Sequence, residues 1–124
     1  MWNEPEDSFQ PGDALIIVDV QNDFCPGGAL PIENGSEVVP VLNRWIAAAV
    51  AKRVPIYASR DWHPANHISF IEQGGPWPPH CIQDSAGARF HPRAPVARLR
   101  RKGYQGCALR PGSELGFRPD GSGQ

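Results

Sequence analysis

The sequence predicts an α/β fold built on parallel strands. Two short apolar runs rich in β-branched residues, 14–20 (ALIIVDV) and 54–59 (VPIYAS), flank a stretch whose apolar residues recur at helical spacing. Strand, helix, strand in that order is a βαβ unit, for which a right-handed crossover is expected. The chain has 124 residues, 40% of them hydrophobic, enough for one small domain. A domain of this size buries only about two thirds of its unfolded surface.

Each element has its own local signal. Residues 1–12 are acidic and polar, an N-terminal arm without the basic-then-apolar order of a signal peptide. The run 14–20, bounded by Gly12 and Asn22, reads as a buried strand of a parallel sheet. Residues 21–35 hold Pro26, Gly27, Gly28, Pro31 and Gly35 and read as a loop. Ser36 is suited to cap the helix that follows. Val38, Leu42, Trp45, Ile46 and Ala49 then line one face, with Pro40 near the first turn, where proline does least harm. The run 54–59 is the second strand. Residues 60–92 are rich in His, Pro, Gly and Trp and lack a regular period, and long irregular segments inside compact domains are usually functional. Residues 96–102 read as a third strand, whose arginines suit an edge. After Gly103 the pattern dissolves into Gly, Pro, Ser and Arg, so 104–124 is expected to be a disordered or aberrant tail behind a domain spanning 13–103.

Twelve basic residues against 13 acidic give a net charge of -1, which points to neither nucleic acid nor an acidic membrane. The charge is uneven: residues 1–90 carry 11 acidic and 5 basic residues, and residues 91–124 carry 7 basic and 2 acidic. No apolar run approaches the roughly 20 residues of a spanning helix. Three cysteines, Cys25, Cys81 and Cys107, at wide spacing do not form a disulfide framework, so a reducing cytoplasm is the default expectation.

The densest chemistry is Asp61-x-His63 followed by His67 and His80. Ligands at i and i+2 project from one face of an extended chain. They stand just past the second strand, where open α/β sheets bind ligands. Imidazole with carboxylate suits zinc, iron or manganese, whereas thiolate-rich structural zinc needs paired cysteines. The opposing reading is surface histidines in a polar loop. Three of the chain's four histidines within 63–80, joined by an aspartate, weigh for metal. Asp19 stands near the end of the first strand inside an apolar run, either a functional carboxylate or a turn residue. Asp23 reads as a loop carboxylate binding backbone N–H groups. Lys102 ends the third candidate strand, and on residue pattern alone it is a solvated member of the cluster Arg98, Arg100, Arg101, Lys102. Phe24, Trp62 and Trp77 serve either as a flat pocket for an aromatic ring or as core packing. Cys81 reads as a buried structural thiol, and none of the cysteines has an activating arrangement.

The stretches ALIIVDVQNDFCPGGALPI, SRDWHPANHISF and WPPHCIQDSAGARFHP resemble nicotinamidases of the isochorismatase-like hydrolase superfamily, and Arg101-Lys102-Gly103 fits that family's later Lys-Gly element. The DWHP…HxSF…WPxHC pattern belongs to the nicotinamidase/pyrazinamidase branch. The resemblance implies a doubly wound, Rossmann-like parallel sheet, here truncated after about three strands. It implies a divalent metal, zinc first with iron or manganese as alternatives, held by Asp61, His63 and His80, with His67 a fourth ligand in some members. It implies a ring pocket with Phe24 and Trp77, and a triad of Asp, Lys and Cys in which Asp19 and Lys102 match the first two. The implied reaction converts nicotinamide to nicotinate and ammonia in pyridine nucleotide salvage. A thiolate attacks the amide, the Asp relays its proton, and the Lys holds negative charge nearby. A small-molecule amide is then the partner, without nucleic acid or membrane, and with oligomers allowed.

The sequence departs from the family pattern after Gly103. Cys107 lies five residues from Lys102 and lacks the strand-turn-helix setting of the family's nucleophile. The expected consequence is a truncated or frame-shifted end and little or no turnover. The alternatives are a non-catalytic metal- or pyridine-binding module and a non-functional fragment.

Overall fold

The computed structural model of the chain describes residues 4–94 and 96, together with the backbone of two strands at 105–108 and 114–118. Strand β1 (Leu15–Val18) and strand β2 (Ile56–Ser59) pair in parallel, Leu15 opposite Ile56 and Val18 opposite Ser59. Helix α2 (Val38–Ala51) connects them, and a single helical turn α1 (Pro5–Ser8) precedes them. The βαβ unit expected from the two apolar runs is the framework of the molecule.

The core lies between the sheet and α2. Ile17, Val39, Ile46, Ala49, Val54, Ile56 and Ala58 are buried together, closed at one end by Ala94 and Val96. Each fully buried Ile or Val contributes about 1.5–3 kcal/mol relative to exposure. The burial pattern corrects two expectations. β1 is not buried on both faces: Ile17 is inside, while Ile16 and Val18 are each 67% exposed. β1 is an edge strand, and only one of its faces meets the helix. The helix packs Leu42, Ile46 and Ala49 into the core as expected, but at its start Val38 is exposed and Val39 takes its place. Trp45 instead meets the Phe9 ring edge-on, with centroids 5.6 Å apart, and Arg44 pairs with Glu4, which ties the N-terminal arm to α2.

Ser36 does not cap α2. It lies within a 3-10 turn, Gly35–Glu37, that runs into the helix without a side-chain cap, and Pro40 falls in the first turn as expected. The other end closes through backbone hydrogen bonds. Arg53 takes the left-handed conformation (φ 55), Arg53 N–H donates to Val50 C=O (3.1 Å), and Val54 N–H donates to Ala49 C=O (2.8 Å). That is a Schellman closure, and Pro55 follows it where the helix could not continue.

Beyond Gly103, two segments expected to be irregular are strands, β3 (Gln105–Ala108) and β4 (Glu114–Arg118). The sheet order is β1-β2-β4-β3, with β4 antiparallel to both β2 and β3. The open edge of β2 offers unpaired N–H and C=O groups that a strand of any composition can satisfy. Two runs of four and five residues broken by glycine carry no detectable period, which is why the sequence did not announce them. Of the expected third strand at 96–102, Val96 is buried in the core, and the rest, Lys102 included, lies outside the described residues. Among the described residues, no helix is long and apolar enough to cross a membrane.

Candidate metal and ring-binding site

Parallel strands place their C-terminal ends side by side, and the polar residues following β1 and β2 meet there. Asp19 follows β1 in the left-handed conformation (φ 52). That conformation costs a non-glycine residue about 1–3 kcal/mol and is held only where its surroundings fix it. Here Asp19 N–H donates to Ser59 C=O (3.2 Å), and Ser59 Oγ donates to Asp19 Oδ1 (2.7 Å). The end of β2 therefore orients the carboxylate at the end of β1.

Asp61 and His63 follow β2 and, as an i, i+2 pair, reach the same side. His80, seventeen residues later, is brought back by main-chain pairing. His63 N–H donates to Cys81 C=O and Gln83 N–H to His63 C=O, both 2.8 Å, a parallel bridge between His63 and Ile82. Asp61 Oδ2 then lies 3.5 Å from His63 Nε2 and 3.8 Å from His80 Nε2, and one ligand atom from each of the three residues lies within 4.8 Å of the others. Two ligands bonded at about 2.0–2.2 Å to a common tetrahedral ion stand roughly 3.4 Å apart, so this spacing fits a metal with little rearrangement. His80 is buried and its Nδ1 faces the Pro78 carbonyl at 2.9 Å. With Nδ1 donating, Nε2 carries the lone pair that faces Asp61. Burial pushes the His63 imidazole below its usual range; Asp61 opposes this, while His67 and His80 add to it. A neutral imidazole is the form that ligates.

His67 stands beside this group rather than in it. Its Nδ1 is hydrogen-bonded with Ser69 Oγ (2.6 Å), and its ring lies against His63, tilted by 37° with centroids 4.3 Å apart. Phe70, buried at 1% exposure, lies beneath all three imidazoles, with centroids 5.6 Å from His63, 5.7 Å from His67 and 5.5 Å from His80. Phe24 and Trp77 both meet the His80 ring, at 5.7 Å and 5.9 Å, and Trp77 stays 47% exposed. The turn that brings Trp77 there depends on glycine: Gly74 has φ 88, and a side chain at Gly75 would run into the Ser69 backbone. Trp62, the third aromatic expected to line a pocket, is instead covered by the Arg60 guanidinium, 4.0 Å above its ring.

Neither described thiol is poised to attack. Burial raises Cys25, and burial with Asp23, Asp61 and Asp19 nearby pushes Cys81 up to about 12. Cys107 sits within β3, opposite Gly116, and not at a helix start.

Sequence reading passed over two polar residues that organise this region. Gln21 is completely buried, and Ser59 holds Asp19. A glutamine directly after an apolar strand was the available signal. Asp23 does what a loop carboxylate was expected to do, accepting backbone N–H groups from Ala29 (3.0 Å) and Cys81 (2.8 Å).

The chain is similar to known proteins over much of its length. Nicotinamidase from Escherichia coli is 44% identical over 97 residues, covering 66% of this chain and 46% of that protein. Nicotinamidase/pyrazinamidase from Mycobacterium tuberculosis is 38% identical over 97 residues, covering 76% of this chain and 52% of that protein. Among solved structures, the pyrazinamidase of Pyrococcus horikoshii in complex with zinc superposes with a TM-score of 0.63 at 55% identity, covering 64% of this chain and 45% of that one. PnC1 from L. infantum in complex with nicotinate gives 0.56 at 45% identity, covering 64% and 40%. The chain spans about half the length of the curated relatives it matches. Residues 13–107 match the Isochorismatase domain, and the chain belongs to that family.

Proposed function

We propose that this chain carries the metal- and ring-binding part of a nicotinamidase-type amide hydrolase, acting on a nicotinamide-like amide. The observation that carries the proposal is the Asp61, His63, His80 group at ligand spacing with Phe24 and Trp77 against the His80 ring. The relatives support it, one solved with zinc and one with nicotinate. One carboxylate and two imidazoles suit zinc first, with iron or manganese as alternatives. When bound, the ion supplies a Lewis-acid contact for a pyridine nitrogen, so that the ring is positioned rather than the amide cleaved.

The chain's own residues supply the remainder. Asp61, His63 and His80 would hold the ion, and His67 backs the His63 ring. Phe24 and Trp77 flank the substrate ring. Asp19, with Oδ1 taken by Ser59, offers Oδ2 to accept the proton of an attacking thiol and pass it to the departing ammonia. Lys102 is proposed to hold negative charge beside Asp19.

A second reading, a metal- and pyridine-binding module without turnover, is favoured by one observation. The two described thiols are both raised by burial, and an amide needs a thiolate to attack it. We propose that turnover by this chain is low, because neither described thiol is poised to attack and Cys107 lies within β3 rather than at a helix start. The test pairs binding with chemistry. Metal-loaded protein should bind nicotinate, and binding should disappear on chelation and in Asp61→Ala. Ammonia release from nicotinamide should stay well under about 1 per second. Nicotinate binding indifferent to metal would refute the site. Release at ordinary enzyme rates that vanishes in Cys25→Ala, Cys81→Ala or Cys107→Ala would refute the low-turnover reading and name the nucleophile.

A further inference from the structure

Gln21 is 0% exposed, a rare condition for glutamine, and its amide is spent on main chain. Nε2 donates to the carbonyls of Asp61 (2.9 Å) and Ala88 (2.8 Å), and Oε1 accepts the Asp61 N–H (2.8 Å). One side chain thus pairs with both backbone groups of a single residue, as an adjacent strand would. Gln21 is itself anchored. Its N–H donates to Asp19 C=O (2.9 Å), and its backbone forms an antiparallel bridge with Phe90. Two residues on, Asp23 Oδ2 accepts the N–H of Cys81, the neighbour of His80. A side chain at Gly87 would collide with that carboxylate. The loop after β1 therefore holds the main chain on both sides of the Asp61, His63, His80 group.

We propose that Gln21 is a positioning residue of the metal centre, fixing the Asp61 backbone so that its carboxylate meets the two Nε2 atoms. The proposal rests on Asp61, His63 and His80 being metal ligands. With the Asp61 N–H and C=O both held, the carboxylate has only its own torsions to explore, and its position relative to His63 and His80 is set before an ion arrives. Replacing the amide by an ionised carboxylate removes both donors and sets negative oxygen against two carbonyls, which pushes the Asp61 segment away. Partners that orient metal ligands typically change affinity by about 10–100-fold.

The experiment uses the full chain with Co(II) as the probe, in wild type, Gln21→Glu, Gln21→Met and Asp61→Ala. Affinity is read by competition with Zn(II), geometry by the visible absorption of bound Co(II), and folding by circular dichroism of the metal-free protein. The expected result is affinity about 10–100-fold weaker in both Gln21 variants, with a changed Co(II) spectrum and retained circular dichroism. Wild-type affinity and spectrum in either folded variant would overturn the proposal alone. Failure of the wild type to bind Co(II), or wild-type affinity in Asp61→Ala, would bring down the ligand assignment and the proposal with it. If the variants do not fold, the wild-type chain decides by nuclear magnetic resonance. In the metal-free protein the Gln21 side-chain N–H groups should already exchange slowly, held by Asp61 and Ala88, and exchange at the rate of a free amide would overturn the proposal.

Discussion

Replacing Phe70 should injure both the fold and the metal site. Its ring is 1% exposed and touches three imidazoles at centroid distances of 5.5–5.7 Å. Phe70→Ala removes a buried ring and leaves a cavity, at a cost of about 3–5 kcal/mol. Domains carry roughly 5–15 kcal/mol in total, so the variant should lose a large share of its stability. Phe70→Leu keeps most of the volume and should cost no more than about 1.5 kcal/mol. Urea unfolding of the metal-free chain, with the slope checked to be unchanged, measures the difference. Zn(II) affinity measured in parallel reads the site, because imidazoles no longer resting on a ring can rotate away from Asp61. The affinity of Phe70→Ala should fall by at least about tenfold, as for other supports of metal ligands. Unfolding within about 0.5 kcal/mol of wild type, as for an ordinary surface change, or an unchanged affinity would refute the role assigned to Phe70.

Three further outcomes follow from the described groups. The His63 pKa is lowered in the folded chain, so the unfolded chain takes up the proton first. Its contribution to stability is present above the ordinary value of about 6.5 and is lost as pH falls through the lower folded value. Metal-free protein should accordingly unfold at lower urea below about pH 6 than near neutrality, and His63→Gln should flatten that dependence. Cys25 and Cys81 are buried and their thiols raised, so iodoacetamide near neutral pH should leave both unmodified until the chain is unfolded, as peptide mass mapping would read. Labelling of either thiol in native protein would contradict the burial. Gly87→Ala forces the Asp23 carboxylate aside and strips the Cys81 N–H of its acceptor, at an expected cost of about 1–3 kcal/mol read by urea unfolding, whereas Gly27→Ala, with no neighbour within 4 Å, loses only what its φ of 90 imposes.

The parts legible in the sequence were those that side-chain chemistry or periodicity announces. An Asp-x-His pair with a later His, in a loop without period, pointed to residues the fold does bring together. The βαβ unit was written in two β-branched runs and a helical repeat. What stayed hidden depends on the main chain. The amide of Gln21 reads the backbone of Asp61 and Ala88, and backbone groups have no sequence signature. The return of His80 rests on the His63–Ile82 bridge, set by a turn at Cys81 with φ 49 that no residue type advertised. The helix face was legible at Leu42, Ile46 and Ala49 but misplaced at its start, because Val38 and Val39 are equally apolar and only the approach of the sheet chooses between them. Strand β4 exists by pairing on β2, a long-range event, and β3 by pairing on β4, and their own composition encodes neither.

Asp61, His63 and His80 should hold one ion between them, and X-ray absorption of the Zn(II)-loaded chain reads this at the metal itself. One zinc per chain is expected, with a first shell of nitrogen and oxygen at about 2.0–2.2 Å and outer-shell scattering from two imidazoles that falls to one in His80→Ala. A shell of sulfur at about 2.3 Å, or a spectrum that His80→Ala leaves unchanged, would contradict it.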